Sequence, residues 1–305
     1  MEHIYDLIII GGGPGGYTAA LYGARAGLDT LVIERLSAGG QMALTAQIDN
    51  YPGFHEGVDG FTLGQNMQAG AERFGAKSEM ADVLRVDLRP EIKVVETTEG
   101  TFYARTVAIS TGAAHRELGL PNEQALVGRG VNYCAACDGM FYRGKTVVVV
   151  GGGNTAVADA LLLSRVAKKV ILVHRRDSLR ATKIYHKALM EAPNVEFRWN
   201  SAVSELLADE KLYAVRLKDV RTGEQTMVDT DGIFVSIGRK PTTELVKDQL
   251  ALDEAGYIIA DESTKTSIPG VFAAGDCTGL PLQVSKAVGE GLVAGLRAAE
   301  YTDHI

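Results

Sequence analysis

The chain has 305 residues, 46% hydrophobic and 23% charged, which fits a soluble globular protein of about two domains and excludes a disordered chain, a coiled coil and a disulfide-dense secreted module. Lys and Arg number 31 against 38 Asp and Glu, a net charge of −7 with the basic residues scattered, so there is no nucleic-acid footprint. No stretch reaches the roughly 20 apolar residues that span a bilayer, and Met1-Glu2-His3 lacks the basic start of a signal peptide, so no membrane partner and a cytoplasmic setting are expected.

Asp6 to Ile10 is a short apolar run of the kind that forms a buried parallel strand. Six residues rich in glycine come next, Gly11 to Gly16, then an Ala-rich helical stretch from Tyr17 to Ala26 and a second apolar run from Thr30 to Ile33. The same unit recurs later: Thr146 to Val150, then Gly151 to Ala156, a helical stretch to about Arg165, and Val170 to Val173. Each reads as strand, glycine turn, helix and strand, so the fold class is α/β with two Rossmann-like, three-layer nucleotide-binding domains. Glu91 to Thr97 and Tyr213 to Leu217 alternate as antiparallel additions, one per domain. The expected crossings between domains lie near Gly112 to Leu120 and Gly238 to Thr242.

Gly11, Gly13 and Gly16 stand between a strand and a helix, where the GxGxxG pattern carries its meaning. The first glycine permits a tight turn, the second admits a pyrophosphate, and the third allows close helix packing. The two units differ at the end of the second strand. Glu34 ends it in the first unit, and a carboxylate there accepts from ribose hydroxyls and repels a 2′-phosphate, which suits FAD. The equivalent place in the second unit is His174, succeeded by Arg175, Arg176 and Arg180, whose planar donors suit the extra phosphate of NADPH. An ordinary solvated charge run is the plainer reading of those arginines.

The chain has three cysteines, Cys134, Cys137 and Cys277. Cys134-Ala135-Ala136-Cys137 lacks the second pair that a zinc site needs, so no metal is expected. Two thiols at this spacing can close a small reducible ring, although buried inert cysteines also occur. Asp138 next to them can exchange a proton, or serve as a turn residue before Gly139.

Taken together, Gly11 to Gly16, Gly39-Gly40-Gln41, Asn50-Tyr51-Pro52-Gly53, Cys134 to Gly139, Gly151 to Ala156, His174-Arg175-Arg176 and Gly270 to Asp276 resemble the low-molecular-weight bacterial thioredoxin reductases over nearly the whole chain. The resemblance implies an FAD domain from 1–113 and 242–305, an inserted NADP domain over 114–241 that carries the cysteine pair, a homodimer, and a rotation between domains in turnover. It implies electron flow from NADPH to FAD, to a Cys134–Cys137 disulfide, and to thioredoxin or another redoxin. In that scheme Gly11, Gly13, Gly16, Glu34, Gly39, Gly40 and Gln41 hold the FAD ribose and pyrophosphate. Asn50 and Gln283 lie near the flavin, and Asp276 lies at the ribityl–phosphate region. Gly151, Gly153, Asn154, Thr155, His174, Arg175, Arg176 and Arg180 hold NADPH. Cys137 is the thiol nearest the flavin, Cys134 attacks the partner disulfide and Asp138 carries the proton. Two positions depart from the pattern: Leu282 stands where an arginine is usual, and Met140 where a phenylalanine is usual.

Overall fold

The computed structural model describes every residue except Met1, Ala46, Gln47, Asp49 and Ile305, and every side chain among the rest except those of Ala136, Cys137 and Tyr185. Its elements run β1 (Ile4–Ile10), α1 (Pro14–Arg25), β2 (Thr30–Glu34), α2 (Gly60–Glu72), β3 (Lys77–Met80), β4 (Val83–Asp87), β5 (Lys93–Thr97), β6 (Gly100–Ile109) and β7 (Ala113–His115). Next come β8 (Val131–Asn132), α3 (Ala135–Asp138), β9 (Thr146–Val150), α4 (Asn154–Ser164), β10 (Lys169–Val173), α5 (Ile184–Met190) and β11 (Val195–Arg198). The chain ends with β12 (Ser201–Ala208), β13 (Leu212–Asp219), β14 (Gln225–Asp229), β15 (Gly232–Val235), β16 (Arg239–Pro241), β17 (Val271–Ala273) and α6 (Val284–Thr302).

Two compact units result, Met1–Ala114 with Lys240–Ile305, and His115–Arg239. In the discontinuous unit the sheet order is β3-β2-β1-β6-β5-β4, with β17 also paired to β6. β1, β2, β3, β6 and β17 are parallel, while β4 and β5 form an antiparallel extension. The alternation of a strand decides what each face meets. Leu7 and Ile9 pack under α1 and α6 with Ala20, Ala24, Ala294 and Ala298, whereas Ile8 and Ile10 face Val86, Val95, Leu250 and Ile258. Because both faces are covered there, the Leu7–Ile10 part of β1 reads as an unbroken apolar run, and each fully buried Ile contributes about 1.5–3 kcal/mol relative to exposure. The helix pair is unusually close: a Cβ on Gly291 would lie 2.2 Å from the Gly15 carbonyl oxygen, and one on Gly295 2.5 Å from that of Ala19.

The contiguous unit repeats the logic. Its parallel sheet runs β11-β10-β9-β15-β8. Val147 and Val149 face α4 through Ala156, Ala160 and Leu163, and Val148 and Val150 face the three-stranded sheet β12-β13-β14 through Leu206, Val215 and Val228. The segments that alternate in sequence are β5 and β13, both antiparallel, as expected.

Candidate active site

In the first glycine turn, the protein itself requires glycine at two positions. Gly11 has φ +105° and its Cβ would sit 2.3 Å from the Ser110 carbonyl oxygen; a Cβ at Gly16 would sit 1.9 Å from that of Gly11. Gly13 is different. It caps α1 with an ordinary φ of −76° and no side-chain cap, and a Cβ there would meet nothing within 4 Å. No protein atom demands glycine at Gly13, so the requirement points outward, to a ligand pressed on the backbone where the first amide groups of α1 lack side-chain acceptors. Glu34, at the end of β2, accepts from the Gly12 N–H at 2.6 Å and the Leu36 N–H at 3.1 Å, which pins its carboxylate against the turn. The Gly39 N–H donates to the Gly12 carbonyl at 2.8 Å, and a Cβ on Gly40 would lie 3.5 Å from the Gly13 Cα, so Gly39 and Gly40 lie against the turn. Gln41 is exposed beside them.

Asn50 and Gln283 are brought together from 233 residues apart: the Asn50 amide donates to Gln283 Oε1 at 2.9 Å. Asn50 also begins an open cleft formed by residues 50–55, where the Tyr51 and Phe54 rings stack at 6.0 Å. Asp276 opens a one-turn 3-10 helix, Asp276–Thr278, framed by Gly275 at φ +93° and Gly279 at φ +111°. This turn adjoins the first one: a Cβ on Gly15 would touch Ser110 Oγ, the Ala287 carbonyl and Ala274 at 2.9–3.4 Å.

The second glycine turn has the same construction. Gly151 has φ +146°, and its Cβ would lie 2.3 Å from the Ser236 carbonyl. Gly153 caps α4 at φ −95°, again with nothing within 4 Å of a Cβ. Asn154 Oδ1 accepts from the Thr182 N–H at 2.7 Å, and the Arg180 N–H donates to the Gly152 carbonyl at 2.7 Å, so Arg180 is stitched to the turn. Thr155 is exposed on the first turn of α4. Arg175, Arg176 and Arg180 are exposed, and among the described residues none forms an ion pair.

His174 stands apart from those arginines. It is only 4% exposed, and its ring lies under Gly152, where a Cβ would come 2.4 Å from the imidazole. Its Nε2 is buried with no partner. Burial, reinforced by Arg180, Arg176 and Arg175, pushes its pKa down and keeps the ring neutral at neutral pH. Three guanidinium groups outside any ion pair, one of them on a residue stitched to the turn that holds the open Gly153, fit a phosphate-bearing nucleotide, and the buried His174 ring supports that turn from beneath. Gly152 and Trp199, whose ring meets His174 edge-on at 6.4 Å, escape sequence reading, since no spacing rule links them.

Cys134 is half-buried directly before α3, and the Asp138 N–H donates to its carbonyl at 3.1 Å. The Cys137 side chain lies outside the described residues; its backbone is in α3. Burial raises the Asp138 pKa, so this carboxyl holds its proton to higher pH than an ordinary aspartate. The preceding Tyr133 donates its hydroxyl to Glu123 at 2.8 Å, and Glu123 also accepts from the N–H groups of Leu118 and Gly119 at 2.8 Å.

Asp159, on α4, is a second acid that the sequence did not mark. Ser236 Oγ donates to it, and burial pushes its pKa up to about 6 from 3.8. A raised carboxyl favours the folded state below its unfolded value, and that stability is lost as pH rises through the folded one, a difference of about 3 kcal/mol by pH 8. Asp159→Asn keeps an acceptor for Ser236 and removes the charge. Melting curves of the variant are therefore expected to show a gain of several degrees at pH 8 and little change at pH 4.

A family profile described as pyridine nucleotide-disulphide oxidoreductase matches residues 5–291. The thioredoxin reductase of Streptomyces clavuligerus is 48% identical over 305 residues, covering 99% of this chain and 95% of that protein, and that of Listeria monocytogenes is 44% identical over 306 residues, covering 100% and 96%. Among solved structures, Lactococcus lactis thioredoxin reductase superposes with a TM-score of 0.90 at 40% identity, covering 99% of this chain and 100% of that one, and T. acidophilum thioredoxin reductase with 0.86 at 34%, covering 99% of each. With two glycine turns, a carboxylate behind one, arginines behind the other and a Cys-x-x-Cys segment in the same unit as the arginines, this chain belongs to the pyridine nucleotide-disulphide oxidoreductase family, among its thioredoxin reductases.

Proposed function

We propose that the chain is an NADPH-dependent flavoprotein that reduces the disulfide of thioredoxin. The observation that carries the reading is the pair of open central glycines, Gly13 and Gly153, with Glu34 behind the first and Arg175, Arg176 and Arg180 around the second. The unit Met1–Ala114 with Lys240–Ile305 binds FAD through its glycine turn, Glu34, Gly39 to Gln41, Asn50, Asp276 and Gln283. The unit His115–Arg239 binds NADPH through Gly151, Gly153, Asn154, Thr155, His174 and the arginines. When bound, FAD takes the hydride of NADPH and passes the electron pair to a disulfide.

Cys134 is disulfide-bonded and Cys277 is a free buried thiol, which supports a Cys134–Cys137 redox pair. Opened to the dithiol, the pair reduces its partner by exchange: the Cys134 thiolate attacks one partner sulfur, and Cys137 then displaces the second thiol and restores the ring. Asp138, whose pKa burial raises, is the group that supplies the proton a leaving thiolate needs. The net reaction is NADPH, a proton and thioredoxin disulfide giving NADP⁺ and thioredoxin dithiol. Met140, 57% exposed, and Phe141, 74% exposed, come directly after the redox segment and offer the partner an apolar grip. The reading includes a homodimer and a cytoplasmic setting, where a reducing environment suits an exchanging thiol pair. No helix among the described residues is long and apolar enough to cross a membrane.

The test is NADPH oxidation coupled to thioredoxin reduction, with NADH and other redoxins as comparison arms. A charge-assisted phosphate contact is worth about 1.5–3 kcal/mol. Arg175→Ala with Arg176→Ala is therefore expected to raise the KM for NADPH at least about tenfold and to leave that for NADH nearly unchanged. Equal efficiency with both nucleotides in the unaltered protein overturns the assignment of the second site.

A further inference from the structure

We infer that Lys286 and Glu290 form a charged clamp that fixes the Gly275–Gly279 turn and thereby positions Asp276 toward the flavin nucleotide. The inference rests on the FAD reading above. A turn whose two ends are glycines at positive φ has little conformational preference of its own, so something must hold it. The side chains that do so lie one helical turn apart on α6. Lys286 Nζ donates to the Gly275 carbonyl at 2.9 Å, to Thr278 Oγ1 at 2.7 Å and to the Gly279 carbonyl at 2.8 Å. An ammonium has three donors, and these acceptors use all three. Glu290 Oε2 lies 3.2 Å from that nitrogen and accepts from the Gly275 N–H at 2.7 Å. The Lys286 side chain is 16% exposed and that of Glu290 28%, so neither charge is freely solvated and losing one strands the other.

Both ends of the turn are therefore tied to α6 through one ion pair, and Asp276 lies between them. Lys286 and Glu290 are positioning residues: their effect on the nucleotide passes through the backbone that carries Asp276. The turn also covers Cys277, which is fully buried with Sγ 3.4 Å from the carbonyls of Ile109 and Ala274. A reagent reaches this thiol only when the turn opens, which makes Cys277 a local gauge of the clamp.

The experiment uses the full chain carrying Cys134→Ser and Cys137→Ser, so that Cys277 is its one cysteine. Lys286→Met, Lys286→Arg and Glu290→Gln are compared by FAD titration of the apoprotein and by the rate at which a maleimide labels Cys277. Lys286→Met is expected to raise the FAD Kd and the labelling rate each at least about tenfold, with Glu290→Gln moving both in the same direction and Lys286→Arg restoring both to within about threefold. Hydrogen exchange of β2 and β3, in the same unit as the clamp, should not change, which a general loss of fold would not allow. Wild-type labelling or wild-type FAD affinity in a folded Lys286→Met or Glu290→Gln protein overturns the clamp. If the parent chain binds no FAD, the functional reading fails, while the labelling arm still decides whether Lys286 and Glu290 hold the turn.

Discussion

Cys134→Ser is expected to leave NADPH-dependent bleaching of the flavin intact and to lower thioredoxin reduction by at least about a thousandfold. A serine oxygen cannot form the mixed disulfide through which exchange proceeds, and Cys137, the other cysteine of the unit His115–Arg239, is left without a second thiol to resolve a mixed disulfide of its own. A thousandfold loss is about 4 kcal/mol of transition-state stabilisation, well beyond the scatter of a packing change at a half-buried residue. Stopped-flow absorbance of the flavin and an insulin-coupled thioredoxin assay read the two half-reactions separately. Thioredoxin reduction near the unaltered rate would mean that electrons leave without passing through Cys134.

Gly13 and Gly16 of the first turn are expected to fail in opposite ways. Gly13→Ala adds a methyl where nothing lies within 4 Å and φ is −76°, so the apoprotein should fold with nearly unchanged stability. That methyl occupies the space where a pyrophosphate meets the backbone, and FAD affinity is expected to fall at least about a hundredfold. Gly16→Ala puts a methyl 1.9 Å from the Gly11 carbonyl oxygen, where backbone must move, and is expected to disrupt the apoprotein itself. Melting of the apoproteins, and then FAD titration of whichever remains folded, separates the cases. Equal FAD affinity for Gly13→Ala and the parent would remove the ligand reading of that glycine.

The parts of the fold that were readable from sequence are those with a local signal. Leu7–Ile10 of β1 and Val147–Val150 of β9 are apolar without interruption because both faces of each parallel sheet are covered, and glycine turns between strand and helix mark where α1 and α4 begin. Glu34 carries a positional signal too, at a set distance after the central glycine. The rest depends on contacts between segments far apart in the chain, for which no periodicity exists. Nothing in the local sequence ties Asn50 to Gln283, Thr182 to Asn154, or Asp159 to Ser236. His174 shows the limit most clearly. It adjoins Arg175 and Arg176 in sequence, yet the strand pleat turns it inward beneath Gly152 while the arginines are exposed. The middle glycine of the second turn is thus needed by a side chain more than 20 positions away, which a motif centred on phosphate binding does not report.

The close seating of α6 on α1 has a consequence for the nascent chain. β17 and α6 are made after the other strands and helices, and until they emerge from the ribosome β6 lacks β17 and no second helix lies over Leu7 and Ile9. The contiguous segment His115–Arg239 contains every strand of its own two sheets and can close first, although it is translated second. At roughly 5–20 residues per second, the opening segment therefore waits about 10–40 seconds with one apolar face bare. During that interval Gly15, Ala19 and Gly23, which let α6 approach so closely, offer little bulk to shield the face. The order of assembly is inverted relative to the order of synthesis, and the exposed first segment, rather than the finished protein, is the form that a holding chaperone would meet.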